Sequence, residues 1–408
     1  MRSTVLKTLA TVSTLAFTAT AAFAADPVKI GAIGPFTGPA AQLGLETRQG
    51  LDFVMNDINE KDGLTIDGEM RTFEFIYEDS QSRPEVGVSA AQKLLTRDQV
   101  DILFHSLIHS SVALAAMELA PDFQDTLFLT GQNVSGQISE KIASDPARFA
   151  NVWKPNFSSD AYAKTIYGTF SDLLDAGHIG EGKTIALIAE DTDYAKAVAK
   201  DTEALLASDG WKIPTQEFVA IGNADFFPQL SKLRASPPDV VLSIFTAPNA
   251  GIALVRQLQE QGIEVPHMAI PYPTQEEFLT GATDVMDGII SAPLQFDPVN
   301  NEEHKSFAER LAAIYPDTQI TQNHGFAYCL GGLLFDAVER AGSLDIDKLN
   351  QAMLDTDFRC LLGRWVFNPD DHSPIVDGDH LAVPASQIQD GVHYAIWPEA
   401  VATSSYQP

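Results

Sequence analysis

Short apolar runs alternate along this chain with longer stretches in which apolar positions return every three or four residues. From Val28, VKIGAIG reads as a strand and is followed by a turn, the helical pattern LETRQGLDFVMNDINEKDG, the strand RTFEFIYED, the helix EVGVSAAQKLLTR and the strand DILFHS. From Lys183 the same order returns as KTIALIAED, a turn, YAKAVAKDTEALLASDG, IPTQEFVAI, DFFPQLSKLRAS and DVVLSIF. Strands alternating with helices of this length predict βαβ units, in which parallel sheets carry helices on both faces. Runs such as IALIA and VVLSIF, apolar without alternation, fit strands buried on both sides. The duplication predicts an α/β fold of two similar lobes, each with a parallel-sheet core.

The segment ahead of the first strand changes the compartment. MRSTVLKTLATVSTLAFTATAAFA has Arg2 and Lys7 at its basic end, an apolar and small-residue middle, and Ala22-Phe23-Ala24 as a small-x-small cleavage site. It reads as a secretory signal peptide over 1–24, with the mature chain starting at Ala25. No Cys sits at the cleavage site, which argues against a lipoprotein. Nothing later approaches the roughly 18 uninterrupted apolar residues of a spanning helix, so export without direct membrane insertion is expected. Residues 25–408 exceed what one core usually serves. A formal charge of −29 excludes nucleic acid and anionic membrane surfaces, which would repel it. The two cysteines, Cys329 and Cys360, are a disulfide candidate in an oxidising compartment.

In open α/β sheets ligands sit beyond the carboxyl ends of the strands. The turns at those ends hold this chain's polar and special residues: GPFTG at 34–38, SLIHSS at 106–111, TGQNVS at 130–135, EDTDY at 190–194, TAPN at 246–249 and PYPT at 271–274. Helix N-termini that follow them offer free N–H groups to a carboxylate or another acceptor, with no reactive side chain required.

Taken in order, GPFTGPAAQLG with MNDINEKDGL, then EDSQSRPEVGVSAAQKLL, HSSVALA, EDTDYAKAVAKD and AYCLGGLLFDAVERAGS, the chain resembles the periplasmic branched-chain amino acid binding protein family of ABC importers. The resemblance implies a type I periplasmic binding protein: two Rossmann-like lobes joined by a three-strand hinge, located in the periplasm, closing on a small-molecule solute and presenting it to membrane permease subunits. It implies no cofactor, no metal and no catalysis. The crossings are expected near 151–155, 291–296 and 366–372. One lobe would then hold 25–152 plus 296–366, the other 153–295 plus 367–408.

By the family pattern, Ser110 and Ser111 receive the solute's carboxylate; an ordinary helix cap is the alternative. Asn133, Val134 and Ser135 hold the same carboxylate, and Tyr194 lays its ring over the solute unless it is core. Where relatives that hold an α-amino group place an acid, this chain has Tyr272; Glu276 and Glu277 fall on the following helix. Thr246 and Leu43 stand where aromatic rings are usual. An ammonium without its carboxylate would be a costly buried charge, so a zwitterionic branched-chain amino acid fits poorly. Trp153 and Phe157, beside a crossing, could join Tyr194 and Tyr272 in clamping an aromatic or apolar carboxylate or an amide; core packing is the alternative for both.

Several catalytic-looking strings fail on context. GHIGEGKT at 177–184 has the letters of a phosphate loop but follows a helix and opens a strand, the reverse of what that loop needs. His105 and His109 lack the Glu of a zinc-hydrolase helix and read as satisfied polar residues near the cleft. NPDDHSPIVDGDH lacks calcium-loop spacing and reads as part of the third crossing. No G-x-S-x-G elbow is present. An importer's solute receptor is therefore the expected function, with a sensory or regulatory ligand domain of the same fold and a secreted hydrolase as the other classes.

Overall fold

The computed structural model describes residues 26–408 except 295, 299, 300 and 378. The leader expected over 1–24, with its cleavage site before Ala25, lies outside the described residues. Two sheets organise the chain. The first runs Phe73–Asp79, Val28–Gly34, Ile102–Ser106, Leu127–Thr130 and Val152–Trp153, every neighbour parallel. The second runs Val392–Trp397, Ala385–Gln389, Ile290–Ser291, His267–Pro271, Val240–Phe245, Thr184–Glu190 and Lys212–Val219. Its last five strands are parallel, and the hairpin 385–397 is added antiparallel at one edge. Central strands such as VVLSIF are buried along their whole length, whereas the edge strand Lys212–Val219 alternates exposed and half-buried positions, as expected for a strand with one wet face.

The helices Glu302–Ile314 and Gln322–Ala341 return to the first sheet's side. Helix Gln322–Ala341 lies against Ala41–Asn59 at a separation that only glycine permits. A Cβ on Gly50 would sit 2.5 Å from the His324 carbonyl oxygen, and one on Gly331 would sit 2.4 Å from Val54 Cγ1. Thr321 opens this helix with a capping box and Gly342 closes it at φ 57°. Cys329 and Cys360 form a disulfide with a Cα separation of 5.7 Å, fastening the same helix to the hairpin Phe358–Cys360/Gly363–Trp365.

The chain passes between the two sheets three times: after Trp153, after Ser291 and after Trp365. The first and third passages are bound to each other. Lys154 N donates to the His372 carbonyl at 3.0 Å, His372 Nδ1 donates to the Val152 carbonyl at 2.8 Å, and the His372 and Trp153 rings stack 4.0 Å apart. Trp153 Nε1 donates to Asn350 Oδ1 and Trp365 Nε1 to the Pro155 carbonyl. Lys154 is fully buried beneath them, its ammonium donating to the carbonyls of Asn156 and Phe157 and to Ser158 Oγ.

Beyond the crossings, the lobes meet around Glu46, a wholly buried carboxylate on helix Ala41–Asn59. Four donors converge on it: Thr321 Oγ1 at 2.9 Å, Asn323 Nδ2 at 2.8 Å, Gln42 Nε2 at 3.3 Å and, from the opposite lobe, the backbone N–H of Glu276 at 3.2 Å. Glu276 in turn accepts from Gln42 Nε2 and from the backbone N–H of Gln319. Burial pushes Glu46 up to about 7, against these four donors. Its folded-state value lies above the unfolded one, so its stabilising contribution is complete below about pH 4.5 and is lost as pH rises through about 7. Glu46→Gln cannot titrate there. The unfolding free energy of the wild type minus that of the variant should therefore fall by ~1–3 kcal/mol between pH 5 and 8 in denaturant titrations; a difference independent of pH would contradict this.

Buried histidines act with the opposite sign. Burial lowers His105 to about 3 and His109, His267 and His324 to about 4. Between those values and about 6.5 the unfolded chain binds more protons than the folded one, so stability drops as pH falls. Four such groups outweigh Glu46. The denaturation midpoint should decline from pH 7 to 5, and a midpoint that holds or rises would count against the neutral buried rings.

Candidate functional site

Where the carboxyl ends of the two sheets face each other, a small cavity lies between the lobes. It holds about 50 Å³ open to water centres, against about 10–15 Å³ for a single water, so it suits a solute of few heavy atoms. The first lobe supplies Leu43 from the start of helix Ala41–Asn59, Gln132 and Val134 from the turn after Leu127–Thr130, and Gln322 and Asn323 from the first turn of Gln322–Ala341. Facing them are Phe157 beyond the first crossing, Tyr194, Thr246 and Gln275, each in a turn or first helical turn at the end of a second-sheet strand.

Local chemistry fixes these positions. Tyr194 stands in the first turn of helix Asp193–Ala207, which Thr192 caps by accepting from Ala195 N at 3.1 Å. Its ring is 7% exposed and its hydroxyl has no partner among the described residues; burial holds the phenol protonated, its pKa well above the ordinary value. Thr246 is held by Glu190, whose carboxylate accepts from Thr246 N at 2.7 Å, from the Thr246 hydroxyl and from Ala247 N at 3.1 Å. Burial raises the Glu190 pKa while these donors oppose it. Phe157 meets Tyr162 edge to face at 5.0 Å. Among the described residues lining the cavity, none carries a charge.

Leu43, Val134, Phe157, Tyr194 and Thr246 are thus brought to one cavity. The remaining expected residues are placed elsewhere. Trp153 belongs to the crossings, stacked on His372 as described, because its indole N–H finds Asn350 there. Tyr272 turns away from the cleft into the second lobe's core. It is fully buried between Phe245 and Phe278, shares a 2.8 Å hydrogen bond with Ser243 Oγ, and lies so near Gly251 that a Cβ there would be 2.2 Å from its ring. The turn Tyr272–Thr274 rotates the chain so that Pro271 and Gln275 line the cavity instead.

Ser110, Ser111, Asn133 and Ser135 do not line the cavity either. Ser110 Oγ accepts from Ser135 N at 3.2 Å, and Asn133 spends its amide on Gly131 N and Ser106 Oγ, so these groups build the turns beneath the cavity floor. Ser111 is half-buried on the helix, and Ser135 is buried with its hydroxyl unpartnered. His109, expected to be satisfied, is buried with neither ring nitrogen bonded. Among the lining residues that sequence missed are Gln132, Gln275, Gln322 and Asn323. Polar clusters do mark them, in TGQNVS, PYPTQEE and TQNHG at helix starts, but nothing in the spacing tells which polar residue turns inward.

The comparisons with known proteins agree with this architecture. The family model for periplasmic binding proteins matches residues 27–384. A Leu/Ile/Val-binding protein of Rhizobium johnstonii is 26% identical over 341 residues, covering 83% of this chain and 86% of that one. The substrate-binding protein LivJ of Streptococcus pneumoniae, solved with isoleucine, superposes with a TM-score of 0.74 at 20% identity, over 90% of this chain and 98% of that one. A solute-binding protein from R. palustris, solved with benzoate, superposes with a TM-score of 0.76 at 17% identity, over 93% and 98%. The chain belongs to the periplasmic binding protein family.

Proposed function

We propose that this chain is the extracytoplasmic substrate-binding component of an ABC importer. It captures a small solute, an amino acid or an apolar or aromatic carboxylate or amide, between lobes 25–152 plus 296–366 and 153–295 plus 367–408. The observation that carries the reading is the cavity at the strand ends, built from both lobes and lined, among the described residues, by uncharged side chains. Relatives described as binding Leu, Ile and Val, and neighbours solved with isoleucine or benzoate, support the class of solute. Leu43, Val134, Phe157, Tyr194 and Thr246 are the proposed contacts. Closure would follow a hinge at the three crossings, and the loaded, closed form would dock on permease subunits at the periplasmic face of the membrane.

A thermal-shift screen over aliphatic amino acids, aromatic acids and amides tests this, since a ligand that binds only the folded chain raises its melting temperature. Stabilisation with one solute per chain and no product is expected; steady product formation would replace the receptor with an enzyme. Tyr194→Ala should weaken the stabilising solute at least tenfold, or about 1.4 kcal/mol. Unchanged affinity in calorimetric titration would remove Tyr194 from the contact set.

A further inference from the structure

We infer that Gln275 and Gln322, one from each lobe, are specificity-determining acceptors that select a solute bearing an uncharged N–H pair, a primary carboxamide, over a carboxylate or a zwitterionic amino acid. The inference rests on the solute-receptor reading and narrows it. Both side chains line the cavity, and in both the amide orientation is fixed by chemistry. Gln275 Nε2 donates at 3.1 Å to the Thr246 carbonyl, which can only accept. Gln322 Nε2 meets Thr274 Oγ1 at 3.1 Å, and that hydroxyl has already given its hydrogen to the Pro271 carbonyl at 2.8 Å. Reversing Gln275 would set acceptor against acceptor, and reversing Gln322 would take the Thr274 hydrogen away from the Pro271 carbonyl. Each therefore leaves its Oε1 as the free end, and both Oε1 atoms are buried with no donor among the described residues.

An orphaned buried carbonyl is costly, and here two of them belong to side chains that line one cavity, one from each lobe. A third buried atom on a lining residue, the Tyr194 hydroxyl, is also without a partner among the described residues and can donate. Two acceptors and one donor complement a primary carboxamide, which has two N–H hydrogens and one carbonyl oxygen. A carboxylate brings acceptors alone and would oppose both glutamine oxygens. An ammonium would satisfy them but introduce a full charge with no anion lining the cavity. The nearby carboxylates are occupied: Glu46 by four donors and Glu190 by Thr246 and Ala247.

Calorimetric titration of the mature chain with matched probes tests this: benzamide against benzoate, isovaleramide against isovalerate, and L-leucine. In at least one pair the amide should bind tenfold or more tighter than its acid and tighter than L-leucine. Gln275→Leu and Gln322→Leu, each checked for a native-like melting transition without ligand, should reduce that ratio at least tenfold while leaving binding of the acid within a few-fold. Tighter binding of benzoate, isovalerate or L-leucine by the wild type would overturn the assignment while leaving the solute receptor standing. Absence of amide binding at millimolar concentration, or an unaltered ratio in folded variants, would overturn it as well.

Discussion

A cleft that shuts between two rigid sheets must account for every polar group it removes from water. That constraint governs most of what surrounds the cavity. Glu46 would be a prohibitive buried charge on its own; Thr321, Asn323, Gln42 and the N–H of Glu276 convert it into a joint between the lobes. Glu190 plays a similar part within the second lobe, where its carboxylate satisfies the free N–H groups ahead of helix Pro248–Glu260. Asn133 and Ser110 close turns in the first lobe in the same manner. With those groups spent, the few that lack partners at the cavity are the ones left for a solute to meet.

The crossings obey the same rule from the opposite side. Here His372 and Trp365 reach the main-chain carbonyls of Val152 and Pro155 in the first passage, the His372 ring stacks on Trp153, and the Lys154 ammonium ties that first passage to itself through the carbonyls of Asn156 and Phe157. In the proposed hinge these bonds would persist as the lobes move, because they run between neighbouring passages. Polar contacts between the lobes run from Glu46, Gln42 and Gln319 to Glu276 and from Gln322 to Thr274, groups that water could satisfy if the lobes parted.

Much of the architecture was legible in the chain. Unbroken apolar runs such as IALIA and VVLSIF became central parallel strands because both of their faces are covered. GHIGEGKT runs out of a helix at Gly177, φ 77°, into the strand at Thr184, as its flanking pattern indicates. The added hairpin 385–397 escaped notice because Ala385–Gln389 is rich in polar residues although buried throughout, and Val392–Trp397 carries no strong alternation. Leu43, Tyr194 and Thr246 line the cavity where the family resemblance put them. Tyr272 and Trp153 do not: a turn of one residue more or less decides whether a ring faces the cleft or the core, and only packing against Phe245, Gly251 or His372 settles that.

The central claim is that the two sheets approach each other to enclose a solute, and small-angle scattering of the mature chain with and without the solute found by screening tests it most directly. A smaller radius of gyration at saturation, reversed when the solute is dialysed away, is the predicted result. An identical scattering curve with and without bound solute would contradict closure and the account built on it.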